Sequence, residues 1–207
     1  MEDIRRTILD HAVELVAEHG VRGVSFREVA RRAGVSHQAP YHHFGNLQGI
    51  LQAIAKEGFT NLSQAMKKAA RHADPIEALN GMGIAYVKFA TNNVGHFRVM
   101  FRRPPTDGPL EPLEESQATY QTLVDCTSRV IAAGYGEFLD PEGFAHLAWS
   151  VVHGLAGLMV EGNLERKTKR EMNAETRLVV QSLSSLLIRS KPKLGYRPPG
   201  GDSAGSA

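Results

Sequence analysis

The side chains best equipped for chemistry in this chain sit between residues 36 and 43, where the sequence reads SHQAPYHH. The chemistry they suit is recognition of duplex DNA. The Gln38 carboxamide offers a donor and an acceptor side by side, the pattern that pairs with an adenine edge in the major groove. The Ala39 methyl suits a thymine methyl. Tyr41 and His43 suit phosphate oxygens, contacts that fix register on the duplex without reading it. Ser36, His37 and His42 complete the polar run.

Such a run reaches a groove only when a helix presents it and a second helix braces that one. The preceding residues supply the brace. Ser25 and Glu28 form an S-x-x-E capping box, with the Ser25 oxygen accepting from the Glu28 amide and Glu28 reaching back to Ser25. Val24 and Val29 stand where a hydrophobic staple needs them. Phe26, Val29 and Ala30 give an apolar stripe, which leaves Arg27, Arg31 and Arg32 towards solvent or phosphate. Ala33-Gly34-Val35 is the turn, with Gly34 suited to a positive φ. Ser36 is then expected to cap a second helix over about His37 to His43, with Pro40 in its first turn, where a missing donor matters least. An ordinary helical hairpin with a solvated polar face is the plainer reading of any single signal. Capping box, staple, glycine turn and second cap occur together at helix-turn-helix spacing, and that combination outweighs it.

The stretch from about Ile8 to Leu51 resembles the DNA-binding domain of the TetR family of transcriptional regulators. The resemblance is carried by Gly20, Gly23, Ser25, Val29-Ala30, Ala33-Gly34-Val35-Ser36, Tyr41, His43-Phe44, Asn46 and Ile50-Leu51. It implies that Ser36, His37, Gln38, Ala39, Tyr41 and His43 touch DNA. Ser25, Arg27 and His42 complete the expected contact set. Two positions depart from the family. Pro40 stands where a leucine or similar residue is commoner, and Leu47 stands where a lysine often holds a phosphate.

With 207 residues, 42% of them hydrophobic, the chain is long enough for one or two compact domains. Its net charge of +2 is unevenly spread: residues 1–72 carry +3 and the remainder −1, and six of nine histidines lie in the first stretch. The basic excess thus lies in the stretch that contains the proposed DNA reader. The single cysteine, Cys126, excludes an intramolecular disulfide, suits a reducing compartment and reads as a small core filler. The opening MEDIRRTILD is charged and unlike a signal peptide, and no apolar run is read as long enough to span a bilayer. A soluble cytoplasmic protein with no membrane partner is expected.

Periodicity predicts an all-α fold: a three-helix head carrying the helix-turn-helix, then a helical bundle body, about nine helices in all. The expected division is residues 1–46 for the DNA-binding head, 47–190 for a regulatory and dimerisation body, and 191–207 for a disordered tail. Ile4, Ile8, Ala12, Leu15 and Val16 mark the first helix, which Gly20 ends. A long helix follows from Leu47 to about His72. Asp74-Pro75-Ile76-Glu77 caps the next, which runs to about Thr91. Asn92-Asn93 and Gly95 break the chain before a short segment, His96 to Phe101, and Pro104 to Pro109 is a loop. Further helices run from about Leu113 to Ala133, from Asp140-Pro141 to Glu161, and from Arg170 to Arg189.

The helix FAHLAWSVVHGLAGLMVE, from Phe144 to Glu161, is apolar nearly all round. Ser150, Gly154 and Gly157 lie on one small-residue strip, and the last helix is broadly apolar through Leu178, Val179, Leu183, Leu186 and Leu187. These two helices from each of two subunits are expected to form a four-helix dimer interface around Ser150, Gly154, Gly157, Val179, Leu183 and Leu187. The alternative makes them central helices of a monomer.

Trp149, His153 and Gly154 form a W-x-x-x-H-G pattern that resembles the WHG type of TetR C-terminal domain. Trp149 and His153 share a helix face. With Tyr86, Phe97, Met100, Phe101 and Tyr120 they are read as the lining of a site for a small apolar or aromatic effector. Residue by residue, plain core packing is the stronger reading, and it is the resemblance to ligand-responsive regulators that favours a cavity.

No G-x-S-x-G, H-E-x-x-H, phosphate loop or dinucleotide fingerprint is present, and adjacent His42 and His43 diverge on a helix. No enzyme, metal or cofactor is expected. The sequence is therefore read as a homodimeric DNA-binding regulator that acts as a ligand-responsive repressor on a palindromic operator. The other readings are an effector-independent or architectural DNA binder and a helical enzyme on a regulator scaffold.

Overall fold

Helical periodicity carries through the computed structural model, which describes residues 4–102, 113–136, 139–162, 164 and 168–189. Among these stand nine α-helices and a 3-10 turn at Val21–Gly23, with no strand. The helices are α1 Ile4–His19, α2 Phe26–Ala33, α3 Ala39–Phe44, α4 Leu47–Ala69, α5 Pro75–Asn92, α6 Val94–Met100, α7 Glu114–Ala132, α8 Pro141–Val160 and α9 Lys169–Arg189. The expected loop at Pro104 to Pro109 and the expected tail at 191–207 lie outside the described residues.

Starts follow local chemistry. Asp140 accepts from the Gly143 amide at 2.8 Å and Pro141 opens α8. Asp74 accepts from the Ile76 and Glu77 amides at 2.8 and 3.0 Å, which caps α5. The Asn46 side chain accepts from the Gly49 amide at 2.9 Å at the start of α4. That helix ends at Ala69, three residues before the expected His72.

The chain divides into two compact units, residues 1–64 with 88–119, and residues 65–87 with 120–207. In the first unit Ile8, Leu15, Val16, Val29, Ile50 and Ile54 are wholly buried, so α1, α2 and α4 share a core that Val99 of α6 also joins. Each such side chain contributes ~1.5–3 kcal/mol. Gly95, expected as a break, lies inside α6. Its reason is contact: a Cβ there would overlap the Val13 carbonyl of α1 and come within 2.9 Å of Val13 Cγ1. Arg98 of α6 donates to the Ala17 carbonyl at 2.8 Å, among the carbonyls left open at the end of α1. Arg6 pairs with Asp10 and with Glu57 of α4, and Glu57 also bonds His96 Nε2 of α6 at 3.0 Å. One carboxylate thus ties three helices together.

In the second unit Phe144 and Thr127 are wholly buried, and the Thr127 hydroxyl lies 2.9 and 2.8 Å from the Val124 and Pro141 carbonyls. Cys126 is buried, and desolvation pushes its thiol up to about 11. It is un-ionised at neutral pH, as a core filler should be.

One expectation needs correction. α8 is a 20-residue helix with a window of mean hydropathy 1.4, long and apolar enough by length and composition to cross a membrane. His146, Ser150 and His153 interrupt the apolar run in the sequence but not the helix. Only 33% of that window is buried. Phe144, Ala145, Ala148, Val152, Leu155 and Ala156 are buried, whereas Leu147 and Leu158 are exposed.

Candidate nucleic-acid interface and aromatic cluster

The brace helix α2 begins as its sequence demands. Ser25 is extended, with φ −136° and ψ 150°, and its hydroxyl accepts from the Glu28 amide at 3.3 Å. The return half of the capping box does not form. The Glu28 carboxylate instead accepts from Arg31 at 2.9 and 2.6 Å and from Arg32 at 3.3 Å. Arg31 is the main cause holding the Glu28 carboxyl down at about 2. Arg32 turns back to Glu18 of α1 at 2.9 and 2.7 Å and lowers that carboxyl too. Two arginines expected to face solvent or phosphate are therefore spent on neighbouring carboxylates. Arg27 is exposed and has no ion-pair partner among the described residues.

Gly34 ends α2 with φ 66° and ψ 26°, and the Val35 amide donates to the Ala30 carbonyl at 3.1 Å. This left-handed residue reverses the chain, and glycine adopts it without a Cβ clash. The next helix begins at Ala39, two residues later than expected, and Ser36 does not cap it. Pro40 is the cause. It has no N–H to donate to the Ser36 carbonyl, so an α-turn cannot close there. The Ala39 amide bonds that carbonyl instead, at 3.0 Å, and the first α-type bond runs from His42 to the Gln38 carbonyl at 3.0 Å. Gln38 takes the cap position but makes no side-chain capping bond.

Of the nine residues expected to contact DNA, Ser25, Arg27, Ser36, His37, Gln38, Tyr41, His42 and His43 are exposed. Ala39 is half-buried against the core of the first unit. The Tyr41 ring stands edge-on to Phe26, centroids 4.6 Å apart, which joins α3 to α2 while half of the tyrosine stays exposed. Leu47 is exposed at the start of α4. Arg5 of α1 lies over the Phe44 ring, 4.9 Å from its centroid, at the far end of α3.

The seven residues read as an effector lining fall in both units. Tyr86, Tyr120, Trp149 and His153 belong to the second. There the Tyr86 hydroxyl is 2.7 Å from His153 Nδ1 and accepts from Trp149 Nε1 at 3.3 Å. Burial pushes the Tyr86 phenol far up and the His153 imidazole down. Tyr120 packs on Trp149, centroids 6.1 Å apart, and its hydroxyl is 3.1 Å from His146 Nε2. His146 is a member that sequence reasoning missed, although its spacing of three and seven residues before Trp149 and His153 places it on the same helix face. Phe97, Met100 and Phe101 belong to the first unit, where Phe101 packs edge-on against Phe59 and Phe97 at 5.4 and 5.5 Å. Among the described residues, no group of three or more metal-ligating side chains gathers.

On α8, Ser150 and Gly154 are exposed and Gly157 is half-buried; a Cβ at either glycine would meet nothing within 4 Å. On α9, Leu178 and Leu186 are each 66% exposed, and Val179 and Leu183 are half-buried. The Leu187 side chain lies outside the described residues.

Residues 8–54 match the family model described as bacterial regulatory proteins, tetR family, and residues 79–183 match that of the tetracyclin repressor-like C-terminal domain. A Bacillus subtilis (strain 168) protein described as the uncharacterized HTH-type transcriptional regulator YobS is 24% identical over 90% of this chain and 94% of its own length. A solved Rhodococcus sp. RHA1 protein of unknown function is 29% identical, with TM-score 0.75 over 91% of this chain and 95% of that one. The fold is also that of FadR from Bacillus subtilis, solved in complex with stearoyl-CoA: TM-score 0.68 at 20% identity, covering 87% of this chain and 97% of that chain.

Proposed function

The chain belongs to the TetR family of bacterial regulatory proteins, and on that premise we propose that this transcriptional regulator is a homodimeric repressor, released from a palindromic operator by a small effector. Residues 1–46 are the reading head and residues 47–190 the regulatory and dimerising part. One observation carries the reading of the head. Eight exposed side chains of the types that bind phosphate and base edges surround a helix pair held by the Ser25 cap, the left-handed Gly34 and the Phe26–Tyr41 contact. Gln38 reads an adenine edge, and Tyr41 and His43 hold phosphates. Two copies related by a two-fold axis place paired α3 helices in successive major grooves, roughly 34–36 Å apart.

The strip of exposed Ser150 and Gly154 with half-buried Gly157, together with Val179 and Leu183, supports self-association through α8 and α9. Small residues let a second copy approach closely, and four helices would cover the leucines left bare on one chain. The aromatic cluster around Tyr86, Trp149 and His153 supports an apolar or aromatic effector, because its polar tips are few and held in place. The effector and the operator then weaken each other by the same factor. The protein works in the cytoplasm, where the chromosome is.

A second reading, an effector-independent repressor, draws on the same cluster: the Tyr86 hydroxyl is bonded to both His153 and Trp149, as in a plain core. Selection of binding sites from random duplexes by the purified protein, repeated against a metabolite panel, separates the readings. A palindromic consensus that one metabolite abolishes is the expected result. A consensus that no metabolite shifts favours the second reading, and the absence of any consensus removes both.

A further inference from the structure

Phosphate binding needs positive charge, and the head is short of it in a particular way. The first 55 residues contain no lysine; the first is Lys56, and it pairs with Glu115 at 2.9 Å. Of the six arginines in that stretch, Arg6, Arg31 and Arg32 are held by carboxylates. Arg5 lies over Phe44. Arg27 and Arg22 remain. Leu47, exposed at the start of α4, brings no charge there. What the recognition surface has in abundance is imidazole: His37, His42 and His43, all exposed and none in an ion pair among the described residues.

An imidazole is the side chain whose charge changes between about pH 5 and 8. Resting on the DNA-reading assignment above, we infer that His37, His42 and His43 supply the phosphate-neutralising charge of this surface, so that operator binding takes up protons and strengthens as pH falls through neutrality.

The surroundings permit it. The helices packed against α3 are α1 and α2. Their carboxylates are all engaged: Asp10 with Arg6, Glu14 with His11, Glu18 with Arg32, and Glu28 with Arg31 and Arg32. The remaining charged or titratable groups on those helices are Arg5, Arg27 and His19, the last beside Glu18. α4 brings no charged residue before Lys56. No unpaired carboxylate on these helices is therefore left to bind the imidazolium protons in place of DNA. A phosphate brought up to a neutral imidazole favours its protonated form, because an opposite charge within a few ångströms stabilises the cation. In a dimer each operator would meet both sets of three.

The test is affinity for the selected operator duplex at fixed salt between pH 8 and pH 6, on the full-length protein, with circular dichroism and light scattering confirming fold and dimer at each pH. Affinity should rise by at least about tenfold over that range, because each proton taken up on binding adds about one to the slope of log affinity against pH. The salt dependence at pH 6 should be steeper, by about 0.9 for each imidazolium that neutralises a phosphate. His37→Gln/His42→Gln/His43→Gln should flatten the pH response, whereas His72→Gln, just beyond the end of α4, should keep it. If the triple variant does not fold, His37→Gln alone, which lies in the turn before α3, should lower the slope. Operator binding that is specific but equally strong at pH 6 and pH 8 overturns the inference and leaves the DNA-reading assignment standing. A pH response that survives the substitutions also overturns it. Absence of specific binding at every pH instead overturns the DNA-reading assignment on which the inference rests.

Discussion

Gln38 stands one residue before α3, exposed, with its carboxamide unused in capping. Gln38→Ala should cost roughly 1–3 kcal/mol on the preferred operator and relax the preference at one position of each half-site. A loss spread evenly over all sequences in the selected pool would show that another residue reads that base. A second residue-scale effect concerns His153, whose imidazole burial holds below its ordinary value of 6.5. The unfolded chain then takes the proton first. The contribution to stability is complete above that value and is lost as pH falls from it towards the lower folded value. His153→Gln should therefore show a smaller drop in melting temperature between pH 7 and pH 5 than the parent chain. An identical drop in both would mean that the imidazole does not titrate differently on folding.

At the scale of elements, two junctions decide how the head is held. Pro40 moves the start of α3 to Ala39, because the donor that would close an α-turn on the Ser36 carbonyl is missing. That places His37 and Gln38 in a turn ahead of the helix, and Gln38 leads the reading surface. The other junction is α1 with α6, at Gly95 and Arg98. Gly95→Ala should lower stability by about 1–3 kcal/mol, the usual effect of forcing a methyl into a filled contact. The denaturation midpoint reads it directly. An unchanged midpoint would mean that the two backbones have room to separate.

For the whole molecule, the exposed strip on α8 is the decisive feature. Gly154 is exposed and a Cβ there meets nothing within 4 Å in one chain, so Gly154→Arg should leave the monomer to fold and melt much as before. In a pair of copies the same side chain would stand between two closely packed helices. Light scattering at micromolar concentration should report a monomer. Operator affinity should fall steeply, since two linked heads bind with an effective concentration that separate heads lack. A dimer that persists would place the interface on another face.

Residue types and short spacings alone make much of this protein legible. The Ser25 cap, the Gly34 turn, Asp74-Pro75, Asp140-Pro141 and the apolar periodicities predict helices close to those observed, because caps and amphipathic stripes are properties of neighbours in sequence. The run from Ser36 to His43 holds most of the exposed polar side chains of the reading surface, since residues that no core wants remain outside. What sequence could not decide was partnership over distance. That Arg31 and Arg32 would be taken by Glu28 and Glu18, that Glu57 would join Arg6 to His96, and that Gly95 would admit Val13 rather than break a helix all depend on which faces meet. Those meetings are set by burial of the whole apolar surface at once, and ion pairs and close approaches follow from it with no trace in local spacing.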